Sequence, residues 1–205
     1  MILKYLALGD SYTIGESVKT QERWPVQLQN ELMKIGIKID DMKIVAVTGW
    51  TTSELLSGIS DDLFFPPYNI VSLLVGVNNQ YRNEDKNKYR SELTQLIYQA
   101  IDFAGGEINS VFVVSIPDWS MVPFAKGRDR DRIGKEIEMF NKIKLEICNE
   151  IGVKFIDITP ISKTARDDPS LTAKDGLHPS GKMYRLWVNE IFPVAKQMIN
   201  SMLAS

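Results

Sequence analysis

ILKYLALGDSYTIG, residues 2–15, decides the fold. Its first seven positions hold one charge, Lys4, among aliphatic and aromatic side chains. A short, nearly all-apolar run of this kind is what a strand buried on both faces of a parallel sheet looks like. It leads directly into Gly9, which permits a sharp turn, and then into a loop of small residues ending at Gly15. Four more runs read the same way, at 43–47, 70–75, 111–115 and 153–156. Helical patterns at 24–35, 52–59, 83–103, 132–151 and 180–202 separate or follow them. Strands alternating with helices predict an α/β chain with a five-stranded parallel sheet covered on both faces, in one domain over residues 1–205. Pro25 suits a first helical turn and Ser180 an N-cap. The stretch 117–131, after the fourth strand, is the one extended irregular segment and is expected to form a lid or acyl-binding wall.

Composition narrows the function. The chain is 44% hydrophobic and 24% charged, near globular averages, and carries a net charge of −2. Nucleic-acid binding needs a basic face that neutralises phosphates, and no basic run is present. Apolar stretches such as 70–77 fall far short of the roughly 20 residues that span a bilayer. Met1 runs almost straight into the first strand without a basic segment, apolar run and small-residue cleavage site, so a cytoplasmic location is expected. Cys148 and His178 are the only residues of their kinds, which excludes an internal disulfide, cysteine-rich metal sites and two-histidine zinc motifs. The acidic pairs Asp61 with Asp62, Asp129 with Asp131, and Asp167 with Asp168 read as solvated turns, and no metal or cofactor is expected. Arg128, Arg130 and Arg132 alternate with acids in the same manner, as a solvated helix start.

In open parallel sheets, ligands bind outside the carboxyl ends of the strands. Ser11 stands immediately past the first strand, Gly49 past the second and Asn78 past the third; the segment 175–180 precedes the last helix. A serine hydroxyl becomes a useful nucleophile only when a base removes its proton, and only His178 can do so near neutral pH. Asp175, three residues earlier, can fix the imidazole tautomer and stabilise the imidazolium. The tetrahedral intermediate of acyl transfer carries an oxyanion, best held by neutral donors fixed in advance. The Ser11 and Gly49 backbone N–H groups and the Asn78 side-chain amide supply three. Tyr12, Trp50 and Trp119 lie on crevice-side segments and are candidate substrate contacts.

Taken singly, small polar residues at strand ends are ordinary turn formers, and tryptophans are mostly core anchors. The coincidence of the only histidine with an aspartate three residues before it, and of donors on successive loops, favours catalysis. Two other readings remain. Ser11, Tyr12, Thr13 and Gly15 could cradle the phosphate of a flavin or nucleotide in a binding module. The same triad could pass an acyl group to another alcohol instead of water.

Four blocks together resemble a known family. GDSYT at 9–13, the glycine of AVTGWTT at Gly49, GVNN at 76–79 and DGLH at 175–178 occur in the order found in the SGNH hydrolases, also called GDSL esterases and lipases. The resemblance spans nearly the whole chain. It implies a flavodoxin-like three-layer α/β/α sandwich and cofactor-free hydrolysis of a small-molecule ester or thioester through an acyl-enzyme. It also implies a triad of Ser11, Asp175 and His178 and an oxyanion hole from Ser11, Gly49 and Asn78. Tyr12, where the family more often has leucine, and Asn79, where it commonly has aspartate, depart from the pattern. No Gly-x-Ser-x-Gly elbow, Ser-x-x-Lys pair, dinucleotide fingerprint or P-loop is present.

Overall fold

A computed structural model describes residues 3–59 and 65–204. Its sheet holds β1 (Leu3–Gly9), β2 (Ile39–Ala46), β3 (Ile70–Leu74), β4 (Val111–Val114) and β5 (Lys154–Ile156). They are ordered β2-β1-β3-β4-β5 and every adjacent pair is parallel. The order reverses between β1 and β3, so the chain leaves those neighbours in opposite directions and opens a crevice above their carboxyl ends.

The helices are α1 (Ser11–Ile14), α2 (Trp24–Lys34), α3 (Thr52–Gly58), α4 (Val77–Tyr81), α5 (Lys86–Phe103), α6 (Arg130–Ile151), α7 (Thr159–Lys163) and α8 (Gly181–Ala204). α2 packs against α8 on one side of the sheet, while α3, α5 and α6 pack side by side on the other. β3 is buried at all five positions, as its nearly all-apolar sequence, interrupted only by Ser72, predicts. Pro25 stands in the first turn of α2, and the Ser180 hydroxyl accepts the Met183 N–H at the start of α8.

Three boundaries differ from expectation, each for a local reason. β2 begins at Ile39 rather than at 43, because an edge strand pairs on one side only and tolerates Asp40 and Asp41 facing solvent. The single helix expected over 83–103 starts instead at Lys86, after the separate helix α4. Asn83 between them adopts φ 54°, and Asp85 caps α5 by accepting the N–H groups of Asn87 and Lys88 at 3.0 and 2.9 Å. The 117–131 stretch is partly ordered into short 3-10 turns at Trp119–Met121 and Pro123–Ala125 before α6 begins at Arg130.

Asp61 and Asp62 lie outside the described residues. Asp129 caps α6 through the Arg132 N–H, and Asp168 pairs with Lys182 at 2.7 Å. Among the described residues no cluster of three metal-binding side chains occurs, and no helix is long and apolar enough to cross a membrane.

Candidate active site

Gly9 must be glycine, because a Cβ there would lie 2.2 Å from Thr13 Oγ1 and 2.4 Å from the Leu74 carbonyl. That close approach of β1 to the end of β3 lets the chain turn at once into α1. Asp10 caps the turn by accepting the Tyr12 N–H at 3.0 Å, and Gly15 ends it in a left-handed conformation. Ser11 is therefore the first residue of a one-turn helix at the switch point, where its N–H has no partner within the helix.

His178 approaches from the segment before α8. The 172–179 loop folds on itself, with the Ala173 N–H donating to the His178 carbonyl at 2.7 Å, and Thr172 pairing antiparallel with Pro179. Within it, Asp175 Oδ1 accepts the N–H groups of Leu177 and His178 at 2.9 and 3.0 Å. This turn aims the other carboxylate oxygen at the ring: His178 Nδ1 lies 2.6 Å from Asp175 Oδ2, and His178 Nε2 lies 2.9 Å from Ser11 Oγ. Partial burial works to raise the Asp175 carboxyl, yet the Leu177 N–H, the Ser17 hydroxyl and the His178 imidazole and N–H outweigh it and hold it at about 2. The carboxylate is thus ionised beside the imidazole at neutral pH.

Tyr12 is buried, its ring 5.1 Å from the His178 ring centroid, so it braces the imidazole as well as lining the cavity beside Ser11. Thr13 is fully buried and points its hydroxyl towards the Leu74 carbonyl. Ser11 and Tyr12 line the cavity, while Thr13 is turned into the core.

The residues expected to act as donors on the other loops are placed differently. Asn78 lies in the first turn of α4 and lines the cavity; its Nδ2 donates to the Trp50 carbonyl at 2.9 Å. Gly49, at φ 88°, gives its carbonyl to Arg82 Nη2 at 2.6 Å, and Arg82 also chelates Glu54. Trp50 does not face the cavity: its ring covers Gly58 of α3, where a Cβ would come within 2.2 Å. The residue contributes its backbone to the site rather than its indole.

The cavity beside Ser11 measures about 180 Å³, with Tyr81, Trp119 and Phe124 as its aromatic wall. Trp119 is fastened from behind: its indole N–H donates to Gln80 Oε1 at 2.8 Å, Gln80 Nε2 donates to Glu136 at 2.8 Å, and Arg132 holds Glu136 at 2.7 Å. Arg128 lies over the same rings, 4.7 Å from Phe124 and 5.5 Å from Tyr81, so it caps the wall.

Ser17, Asn79 and Gln80 were not legible as site residues. Ser17 Oγ donates to Asp175 Oδ2 at 2.7 Å across 158 residues of sequence, and no local pattern announces it. Asn79 is fully buried; its amide accepts from the Thr52 N–H at 3.1 Å and donates to Thr52 Oγ1 at 2.6 Å and to Glu84 at 3.1 Å. An aspartate could not make those donations, which gives a physical reason for the asparagine here.

A parallel sheet of this order, with hydroxyl, imidazole and carboxylate in one hydrogen-bonded line at its switch point, is the architecture of the SGNH hydrolases. The family model described as GDSL-like lipase/acylhydrolase matches residues 7–186, and the chain belongs to that family of carboxylic ester hydrolases. The fold is shared with the psychrotrophic esterase EstA from Pseudoalteromonas sp., at TM-score 0.73 and 18% identity over 96% of this chain and 98% of that one. It is shared also with the lipase/acylhydrolase from Enterococcus faecalis, at 0.72 and 20% over 96% of each chain. The acetylxylan esterase Axe2 from Geobacillus stearothermophilus aligns at 0.71 and 16% over 94% of each. A search of curated protein sequences finds no match.

Proposed function

We propose that the protein is a serine esterase that hydrolyses short-chain carboxylic esters through an acyl-enzyme on Ser11. The single observation that carries this reading is the continuous line from Ser11 Oγ to His178 Nε2, at 2.9 Å, and from His178 Nδ1 to Asp175 Oδ2, at 2.6 Å. Ser11 Oγ attacks the ester carbonyl carbon as His178 Nε2 takes the hydroxyl proton. Asp175 stays ionised and stabilises the imidazolium. The carbonyl oxygen becomes an oxyanion facing the Ser11 and Gly49 N–H groups and the Asn78 amide. A side-chain amide has two N–H groups, and the one not given to Trp50 is left for the substrate. The C–O bond to the alcohol then breaks as Nε2 returns the proton to it. Water repeats the sequence on the acyl-enzyme and frees Ser11.

The cavity of about 180 Å³, with Trp119 in its wall, suits a short acyl chain. A panel of aryl esters graded by acyl length, run beside acetylated sugars and acyl thioesters, tests the preference. Fluorophosphonate should label Ser11 in the wild type and fail to label the Ser11→Ala protein. Full activity in Ser11→Ala would end the proposal.

A further inference from the structure

Helix α6 carries a lysine where its pattern calls for an apolar residue. Ile133, Ile137, Phe140, Ile147 and Cys148 form the buried face, and Lys144 lies on that face, itself fully buried. Its Nζ donates to the carbonyls of Val75 at 3.0 Å and Val114 at 2.9 Å. Both carbonyls sit at the carboxyl ends of neighbouring strands. Val75 leads into Gly76, whose α-carbon is pressed against the Tyr89 side chain, with a Cβ there meeting Tyr89 Oη at 2.8 Å. Asn78 follows two residues later. Val114 leads into the segment that delivers Trp119. The third strand end in the row is that of β1, where fully buried Asp10 caps the turn holding Ser11; its Oδ2 has no hydrogen-bond partner among the described residues.

An ammonium in this setting is unfavourable on its own account. Burial drives Lys144 towards its neutral form, down to about 8, against the pull of the Asp10 carboxylate. Burial likewise drives Asp10 up to about 7, against the Tyr12 N–H and the Lys144 charge. The other titratable groups facing the lysine are neutral at that pH: burial raises the Cys148 thiol to about 11 and the Tyr89 phenol further still. An apolar residue at 144 would serve the core better, unless the strand ends need a charged tether.

We propose that Lys144 is a positioning residue, an internal clasp whose ammonium fixes the ends of β3 and β4 against the Asp10 turn so that Asn78 and Ser11 keep one geometry. The inference rests on Ser11 being the nucleophile. It assigns Lys144 no contact with substrate; the effect passes through the Val75 and Val114 carbonyls. Charge-assisted hydrogen bonds are roughly twice as strong as neutral ones, so loss of the proton slackens the clasp without cutting it.

The test is aryl ester turnover by Lys144→Met and Lys144→Gln, normalised to sites titrated with fluorophosphonate. In Lys144→Met, kcat should fall by about 10²-fold, the usual consequence of an ångström-scale misplacement, with KM unchanged. Lys144→Gln keeps a donor for the carbonyls and should recover about tenfold of that loss, being a neutral replacement for a charged one. Wild-type kcat should decline as pH rises through about 8, and this decline should vanish in both variants. A folded Lys144→Met with wild-type kcat overturns the proposal, as does a wild-type kcat that stays level well above pH 8. If Lys144→Met does not fold, Lys144→Gln and the wild-type pH profile decide. A wild-type protein that takes no label at Ser11 refutes the esterase reading itself and this inference with it.

Discussion

The two sides of the crevice are built by different means. On the hydroxyl side, Ser11, His178 and Asp175 already touch, and the last two come from one self-bonded loop that Ser17 ties to the start of the chain. On the donor side, Asn78 and Gly49 spend part of their hydrogen-bonding capacity on neighbouring backbone and side chain, at Trp50 and Arg82. The two loops are tied to each other, Asn78 through the Trp50 carbonyl and Arg82 through that of Gly49. Proton transfer needs a specific atom-to-atom line, and side chains supply it. Oxyanion binding needs fixed dipoles around an empty point, which backbone N–H groups and a held side-chain amide can supply.

That contrast can be broken at either side, and the sizes of the effects should differ. Ser11→Ala should lower kcat by about 10⁵-fold or more if the proposed triad acts as a unit, as stopped-time product assays will register. Asp175→Asn keeps the shape of the loop but offers the wrong tautomer to the ring, and should lower kcat by about 10⁴-fold. Asn78→Ala removes one of the proposed oxyanion donors and should lower kcat by about 10² to 10³-fold with little change in KM. A loss as large as that of Ser11→Ala would show the two sides to be one unit. Asn79→Asp should act mainly on stability. It forfeits buried donations to Thr52 and Glu84 at a cost of about 1–3 kcal/mol, visible as a lower Tm with kcat nearly kept.

The smallest effect concerns acid. The folded-state value of Asp175, about 2, lies below the unfolded one, about 3.9. Its contribution to stability is therefore complete above the unfolded value and is lost as pH falls through the folded one. The stability gap between wild type and Asp175→Asn, followed by denaturant titration, should shrink below pH 4 and close near pH 2. The carboxylate is partly open to solvent, so the gap is modest. A gap that ignores pH would mean the loop is held without the charge.

Which features could be read in advance follows from how local their causes are. The buried strands, the Gly9 turn, the Ser180 cap and the Asp175-to-His178 spacing are written within a few residues, and each was legible. β2 escaped in part because its edge position, not its composition, lets 39–42 join the sheet. The break between α4 and α5 escaped because Asn83 continues the helical pattern while its backbone does not. Trp50 stood on the right loop, but the absence of a side chain at Gly58 drew its ring away from the crevice. Lys144 was legible in principle, as a charge on the apolar face of a 22-residue helix.

The fastening behind Trp119 has a consequence for anyone reshaping the enzyme. The indole is kept in place by a relay of polar links through Gln80 and Glu136 that ends at exposed Arg132. A laboratory selection for bulkier acyl donors therefore has a gentler route than trimming the tryptophan. Replacements at 80 or 136 would let the ring swing, so winning clones should carry changes behind the cavity, on residues the new substrate never meets.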